Sequence, residues 1–440
     1  MSNVRRSLVS LLTTSLLVLG ACSSRGSEGS DSRVTTERSE FSVAGGIVKT
    51  TREKTTTEPA EPIPVPEDER PQPHAQAGLL TAGDTDDLIN ADQYAKYAGR
   101  FLQAAGGRLP FVDARTRVAV RVVDSAGRPV PFAKVEIARS RGPLRLVAAA
   151  DGTASFYPRF DEVPEKTSLR VTSSSGSGGR TIDLAANPSH RLDVSVGGSS
   201  HPVTAMDVAF VIDTTGSMGD EMAYLQAELD SIIDRLKRDA GNLDLRIGVV
   251  LYRDEGDDYV VRSTPLTGDV GSIRSMLAAQ DAEGGGDTPE AVDQAIIAAG
   301  KLQWRPDAAK ALLLVADAPP HDDRLAVTMD ATKELRSRGV QIVPVAASGV
   351  EANAEYMMRT MAALTQGRYI FLTDDSSVGN PHQEPDVSCY VVTHLDQLIG
   401  RVLAGIAQGR RIEPSQGEVI RMVGSYDRGR CLAARGDSQT

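Results

Sequence analysis

The fold of this chain is set by residues 207–219, which read DVAFVIDTTGSMG. The first part, residues 208–212, is an apolar run of strand length that includes β-branched side chains. The run ends at Asp213, and a polar turn with one glycine leads into a helical pattern over residues 221–238. A strand, an acidic turn and a helix predict the first βα unit of a doubly wound sheet, in which ligands bind at the carboxyl ends of the strands.

Three oxygen-bearing side chains occupy alternate positions of this turn, namely Asp213, Thr215 and Ser217. One carboxylate and two hydroxyls suit a hard cation such as Mg²⁺, which prefers oxygen ligands and retains several waters. The same residues are also compatible with a solvated helix N-cap, because Asp and Thr are common caps. A cap would not require further oxygen ligands from later loops, whereas a cation site would.

Residues 213–217, DTTGS, resemble the D-x-(S/T)-x-S motif of von Willebrand factor type A domains. The resemblance implies a metal-ion-dependent adhesion site that a threonine and an aspartate from later loops complete. Thr288, within EGGGDTPE, and Asp317, which follows an apolar strand, occur in the expected order. The implied metal ligands are therefore Asp213, Thr215, Ser217, Thr288 and Asp317.

The resemblance also implies how such a domain works. A divalent cation with an incomplete ligand shell, Mg²⁺ as first expectation and Mn²⁺ or Ca²⁺ as alternatives, binds an acidic residue of a partner protein. Tyr252-Arg253-Asp254 and the sequence ADAP at residues 316–319 are similar to a branch of these domains found beside alpha-kinase modules and in bacterial secreted proteins. We expect a protein partner, no catalytic residues and no small-molecule substrate.

Two other functions are compatible with this turn. The sequence DTTG also resembles the D-K-T-G phosphorylation motif of P-type ATPases and haloacid-dehalogenase relatives, with Asp213 as nucleophile. Against this, Thr214 replaces the lysine, and no later G-D-G-x-x-N-D motif follows. The other alternative is a structural protein whose cation only stabilises the fold.

The loops at the expected cation end of the sheet are rich in further acidic residues. A solvated surface explains them, and a second cation or a basic partner surface is the alternative. His321 lies in one of these loops and is expected to be exposed rather than a ligand. The acidic residues are Glu255, Asp257, Asp258, Glu283, Asp287, Glu290, Asp322 and Asp323.

The amino terminus has the features of an export signal. Arg5 and Arg6 precede an apolar run over residues 8–19 that is too short to span a bilayer. The sequence LGAC at residues 19–22 resembles the lipobox of bacterial lipoproteins, which implies a signal peptide over residues 1–22 and acylation of Cys22. An ordinary signal peptide with a chance cysteine is the alternative. The lipobox predicts a protein lipid-anchored to the cell envelope, at the outer membrane in a Gram-negative organism.

Two cysteines remain, Cys389 and Cys431. In an oxidising, exported compartment such a pair predicts a disulfide, with two free thiols as the alternative. The bridge would tie a C-terminal tail, residues 411–440, to the preceding domain.

The 440 residues predict two or three domains, and a net charge of −11 argues against a nucleic-acid partner. Residues 23–75, rich in Ser, Thr, Glu and Pro, predict a disordered tether. Residues 76–110 predict a helical connecting segment. Residues 111–200 predict a small all-β sandwich, because VVDSAGRPVPFAKV at 122–135 and the following DGTASF resemble carboxypeptidase-regulatory-like and immunoglobulin-like modules.

Residues 203–410 alternate strands and helices, which predicts an α/β domain: a doubly wound, mostly parallel six-stranded sheet with helices on both faces. Residues 106–200 carry a net charge of +5 and residues 201–410 one of −14, so we expect the two domains to dock. Strands are expected to begin near Val208, Leu245, Tyr259, Ala311, Val340 and Arg368, with helices over residues 218–239, 270–279, 288–302, 325–338, 353–365 and 391–409.

Overall fold

The computed structural model describes residues 77–105, 109–187, 189–239, 243–286, 288–377, 382 and 384–432. The expected signal peptide, Cys22 and the tether lie outside these residues and stay predictions. Within the part that is described, no helix is both long and apolar enough to cross a membrane.

The described part of the connecting segment forms the strand β1 (Thr81–Thr85) and the helix α1 (Ala91–Ala104). A β-rich body follows, and its strands alternate buried and exposed residues, as in Val118–Val123. It consists of two sheets, ordered β5-β2-β8 and β4-β3-β6-β7, around a shared apolar core. Its strands are β2 (Val118–Val123), β3 (Lys134–Ile137), β4 (Leu144–Val147), β5 (Thr153–Phe156), β6 (Lys166–Ser173), β7 (Gly176–Asp183) and β8 (Arg191–Ser195).

Strands and helices then alternate, as the sequence predicts. The elements are β9 (Ala205–Asp213), α2 (Gly219–Asp239), β10 (Asp244–Tyr252), β11 (Val261–Thr267), α3 (Val270–Ala278), α4 (Val292–Gly300), β12 (Ala309–Ala316), α5 (Leu325–Ser337), β13 (Gln341–Ala346), α6 (Ala352–Thr365), β14 (Tyr369–Thr373), β15 (Tyr390–His394) and α7 (Leu395–Gln408). Three short strands end the described chain: β16 (Arg421–Val423), β17 (Tyr426–Asp427) and β18 (Arg430–Cys431).

The central sheet is mixed, with the order β11-β10-β9-β12-β13-β14-β1-β15-β16. Strands β10, β9, β12, β13 and β14 are parallel to one another, and β11 and β1 pair antiparallel with their neighbours. Alternate residues of β9 point to opposite faces: Val208, Phe210 and Ile212 pack with α2, α3 and α7, whereas Ala209 and Val211 pack with α4, α5 and α6. The α/β class with helices on both faces is confirmed.

Within the described residues the sheet has nine strands rather than the six expected. The extra strands are β1 from the connecting segment, β15, and β16 from the C-terminal tail. All five residues of β1 are buried, although its sequence TAGDT lacks the apolar alternation of a typical strand. Its Gly83 fits because a Cβ there would lie 2.7 Å from the Phe371 ring and 2.9 Å from the Tyr390 ring. The neighbouring Asp84 is buried because Arg411 and Arg368 pair with its carboxylate at 3.2 and 3.5 Å.

The helix expected over residues 391–409 begins later, at Leu395. Residues 391–394 belong to strand β15 instead. The run Tyr390-Val391-Val392-Thr393 is aromatic and β-branched, so it favours a half-buried extended strand over a helix. The predicted disulfide is confirmed: Cys389, just before β15, is bonded to Cys431 in β18.

The β-rich body and the α/β part are in contact, as the opposite charges predict. Arg336 of α5 donates to both oxygens of Asp161 at 2.8 and 2.9 Å, and both side chains are buried. The Tyr157 hydroxyl donates to the Ala363 carbonyl at 2.6 Å, which joins the body to α6. A buried ion pair and a hydrogen bond from a buried tyrosine hold these two parts together.

Candidate metal centre

Strand β9 brings the first predicted ligand to the carboxyl edge of the sheet. All nine of its residues are buried, and Asp213 is the last of them. Strand β10 pairs Tyr252 with Asp213, and on the other side β12 pairs Val315 with Ile212. Asp317 therefore begins the loop directly beside the end of β9. Two carboxylates from adjacent central strands meet at this edge.

The turn after β9 brings three of the predicted ligands into contact. The Asp213 Oδ1 atom accepts hydrogen bonds from the Thr215 backbone N–H at 3.0 Å and from the Thr215 hydroxyl at 2.7 Å. The Ser217 hydroxyl lies 3.3 Å from that of Thr215. The second oxygen of Asp213, Oδ2, is buried and has no hydrogen-bond partner among the described residues. A bound cation would satisfy this oxygen, and buried polar atoms in proteins are nearly always paired.

The glycine-rich loop, residues 283–290, is hydrogen-bonded to this turn. Glu283 N–H donates to the Thr214 carbonyl at 3.0 Å, and Gly216 N–H donates to the Gly284 carbonyl at 3.1 Å. The next residue, Gly285, has φ of +75°, and a Cβ there would lie 3.2 Å from the Thr215 Cβ. Only glycine allows both this conformation and this approach.

Thr288 lies in the same loop, and its side chain is exposed. Within the described part of the chain, no hydrogen bond joins it to the other four predicted ligands. The structure thus brings Asp213, Thr215 and Ser217 into direct contact and Asp317 to the adjacent strand end, and it leaves Thr288 at the open side. The assignment of all five as metal ligands stays a prediction.

The carboxylates raise one another's pKa values. Burial raises the pKa of Asp213 to about 7; the charge of Asp317 adds to this, while hydrogen bonds from Thr215 oppose it. Burial also raises the pKa of Glu290 to about 9, together with the charges of Asp213, Asp254, Asp317 and Asp257. Without a cation these carboxyl groups therefore resist being ionised together, and a divalent cation would remove the repulsion between their charged forms.

The donor set fits a hard cation. It consists of oxygen atoms only, and it includes the buried Asp213 oxygen without a partner. Among the described residues, no group of three or more His, Cys, Asp or Glu side chains is arranged to hold a metal ion. The predicted site does not require one, because two carboxylates and three hydroxyls make up its ligands.

The other acidic residues of this edge are not all solvated. Asp254 is buried, and its carboxylate pairs with the Nε2 atom of His321 at 2.7 Å. Asp257 accepts hydrogen bonds from the N–H groups of Asp254 and Gly285 at 3.1 and 2.9 Å. Glu290, which the sequence marks only as one acidic rim residue, is 3% exposed. The position of Glu290 directly after Thr288-Pro289 is the sequence feature that could have indicated its place near the predicted ligands.

The comparison with protein families agrees with this geometry. The model of the von Willebrand factor type A domain matches residues 207–384. These residues form a von Willebrand factor type A domain. The VWA domain continues beyond the match in the structure, since β1, β15 and β16 complete its sheet. The lipoprotein and carboxypeptidase-regulatory-like resemblances stay predictions.

Two curated proteins are similar to parts of the chain. A putative ariadne-like RING finger protein of Acanthamoeba polyphaga mimivirus is 33% identical over 116 residues, 26% of this chain and 11% of that protein. The alpha-protein kinase vwkA of Dictyostelium discoideum is 19% identical over 212 residues, 48% of this chain and 34% of that protein. The chain thus spans about a tenth and about a third of the lengths of these relatives.

Among solved structures, the conserved hypothetical protein BatB from Bacteroides thetaiotaomicron is similar to 46% of this chain, at 14% identity and a TM-score of 0.33, over its whole length.

Proposed function

We propose that this protein is a non-catalytic, cation-dependent protein-binding module of a bacterial cell envelope, anchored through an acylated Cys22. The VWA domain supports a role in protein interaction in general terms. One observation carries the finer proposal: the carboxylates of Asp213 and Asp317 end adjacent central strands, and Asp213 Oδ2 is buried without a hydrogen-bond partner among the described residues. A divalent cation, Mg²⁺ first, satisfies both.

The residues that hold the cation in this proposal are Asp213, Thr215, Ser217, Thr288 and Asp317. When bound, the cation supplies an electrophilic position for an oxygen ligand from outside. Asp213 and Thr215 form the buried base of the site, whereas the side chains of Ser217 and Thr288 are exposed. The open side lets an acidic residue of a partner protein reach the cation. This exposure favours partner binding over a cation that only stabilises the fold.

The Asp213→Ala variant tests this proposal. We expect saturable binding of Mg²⁺, Mn²⁺ or Ca²⁺ to the wild type in calorimetry and none to the variant, because the base of the site is lost. Partner capture from the native envelope should fail for the variant, and for the wild type in a chelator. Circular dichroism should show that the variant is folded.

The matched control is Glu255→Gln, which removes a 62% exposed carboxylate at the same edge of the sheet. This variant should bind the cation as the wild type does. A wild type without saturable cation binding would refute the proposal. Cation binding without chelator-sensitive capture would favour the structural alternative.

A further inference from the structure

Glu290 is a buried acidic residue at this edge that the predicted ligand set does not use, and it is less exposed than the buried Asp254. It is 3% exposed, and its Oε2 atom has no hydrogen-bond partner among the described residues. Its backbone is held against the loop after β12, because its N–H donates to the Pro319 carbonyl at 3.0 Å and its position pairs with Pro320 as an isolated β-bridge. The carboxylate is therefore held in the site by the backbone and not by a partner of its own.

The Glu290 side chain faces the base of the cation site. A Cβ placed on Gly285 would lie 3.1 Å from Glu290 Oε1 and 3.2 Å from the Thr215 Cβ. The Glu290 carboxylate and Thr215 thus approach the same glycine. Because Gly285 has no side chain, both groups can approach this backbone position closely.

All the charges that act on Glu290 most strongly are negative. They belong to Asp213, Asp254, Asp317 and Asp257. The Asp254 carboxylate is paired with His321, and the Asp257 carboxylate accepts hydrogen bonds from two backbone N–H groups. Neither aspartate therefore donates a hydrogen bond to Glu290. A buried carboxylate among other carboxylates is costly unless a cation compensates it. The same cation that Asp213 and Asp317 require can compensate Glu290.

Glu290 does not join the direct ligands, because no three acidic or imidazole side chains of the described residues are arranged around one metal position. A hard cation such as Mg²⁺ keeps several waters, and groups that hold such waters contribute to its affinity. We propose that Glu290 is a positioning residue of the cation site, whose carboxylate faces the bound cation across a water molecule. This inference rests on the cation site of the proposed function.

Glu290→Gln on the full chain tests the inference, because it removes the charge and keeps the shape. We expect its affinity for Mn²⁺ and Mg²⁺, measured by calorimetry, to fall by about 10–100-fold. Without cation, the variant should unfold at the same or a higher temperature than the wild type, since one carboxylate is removed from a group that repels itself. A residue that only supports the fold would instead lower the unfolding temperature and leave the affinity unchanged.

Two further variants make the result specific. Glu283→Gln removes a 69% exposed carboxylate of the same loop and should change the affinity by less than about twofold, since exposed charges are screened. Glu290→Asp keeps the charge, so its affinity should lie between those of the wild type and Glu290→Gln.

The outcomes separate the two proposals. If the wild type binds no cation, the proposed function fails, and this inference fails with it. If the wild type binds and Glu290→Gln binds equally well, only the role of Glu290 is overturned. If Glu283→Gln weakens cation binding as much as Glu290→Gln, the loss of affinity comes from the lower negative charge of the loop in general. The specific role of Glu290 is then overturned as well.

Discussion

At the scale of single residues, buried carboxyl groups make the stability of this VWA domain depend on pH. Besides the cation site, Glu228 of α2 is fully buried, and its Oε1 atom accepts hydrogen bonds from Gly78 N–H at 2.9 Å and Leu80 N–H at 3.4 Å. The side chain therefore fixes the segment that leads into β1. Its second oxygen has no hydrogen-bond partner among the described residues. When Glu228 is ionised, only one of its two carboxylate oxygens accepts hydrogen bonds from the described residues.

Glu228 predicts a pH dependence of stability. Burial, with the charge of Asp396, raises its pKa from 4.5 to about 7. Between these values the folded protein retains a proton that the unfolded chain releases, so the free energy of unfolding falls as pH rises, by at most about 1.4 kcal/mol per pH unit from this group. Glu228→Gln should lose this contribution. Urea unfolding of both proteins at several values between pH 5 and pH 8 measures it, and equal slopes would contradict the prediction.

The order Asp213, Thr215, Ser217, Thr288, Asp317 could be taken from the sequence because motif spacing and strand ends are local properties. The role of Glu290 could not be predicted from the sequence. It depends on a carboxylate oxygen that, in the folded protein, is buried without a hydrogen-bond partner among the described residues. The pairing of Asp254 with His321 joins residues 67 positions apart and likewise leaves no local pattern. Motifs identify residues of one loop, whereas burial and pairing across loops need the structure.

At the scale of elements, the six strands with apolar runs were predictable and β1 was not. Its sequence TAGDT contains Gly and Asp, which are rare in strands. Tertiary context overrides this preference, because the Phe371 and Tyr390 rings fill the space beside Gly83 and two arginines neutralise Asp84. The β-branched run of β15 indicates a strand. It was missed because the helical periodicity of the residues that follow was extended back over it.

Gly83→Ala tests the close packing of β1. The added methyl group would lie 2.7 Å from the Phe371 ring, so the variant should lose about 1–3 kcal/mol of stability. The matched control is Gly99→Ala in α1, where the added methyl group would meet no atom within 4 Å beyond its own helix backbone and chain neighbours. This control should gain about 0.4–1 kcal/mol, since it only restricts the unfolded chain. Chemical unfolding measures both, and a loss of similar size in both variants would show that β1 is not the cause.

At the scale of the whole molecule, the β-rich body and the VWA domain share buried contacts. The Arg336–Asp161 pair is at most 6% exposed on either side, and Ser155 donates to the Gln366 side chain at 2.6 Å across the same boundary. Helix α1 adds to this contact through Tyr94 and Tyr97, which belong to one apolar cluster with Tyr157 and Tyr356. Unfolding of either part would expose the buried contacts that it shares with the other, so the stabilities of the two parts are coupled.

Asp161→Asn should cost about 3–5 kcal/mol, because it leaves the guanidinium of Arg336 buried without a counter-charge. Asp183→Asn is the control. Its 3.5 Å pair with Lys166 is exposed, and its loss should cost less than about 1 kcal/mol. Equilibrium unfolding in urea compares them. Equal small losses would mean that the two parts of the molecule are only loosely coupled.

The position of β1 has a mechanical consequence. It is the first strand of the described residues, and it pairs antiparallel with β14 over all five of its residues and with β15 over its first two. Antiparallel ladder bonds run perpendicular to the strands, so a pull along β1 shears these bonds together instead of peeling them apart one by one. Tension applied at the N-terminal end of β1 would enter the sheet through both of its neighbours, β14 and β15, and would be shared among the bonds of these two pairings.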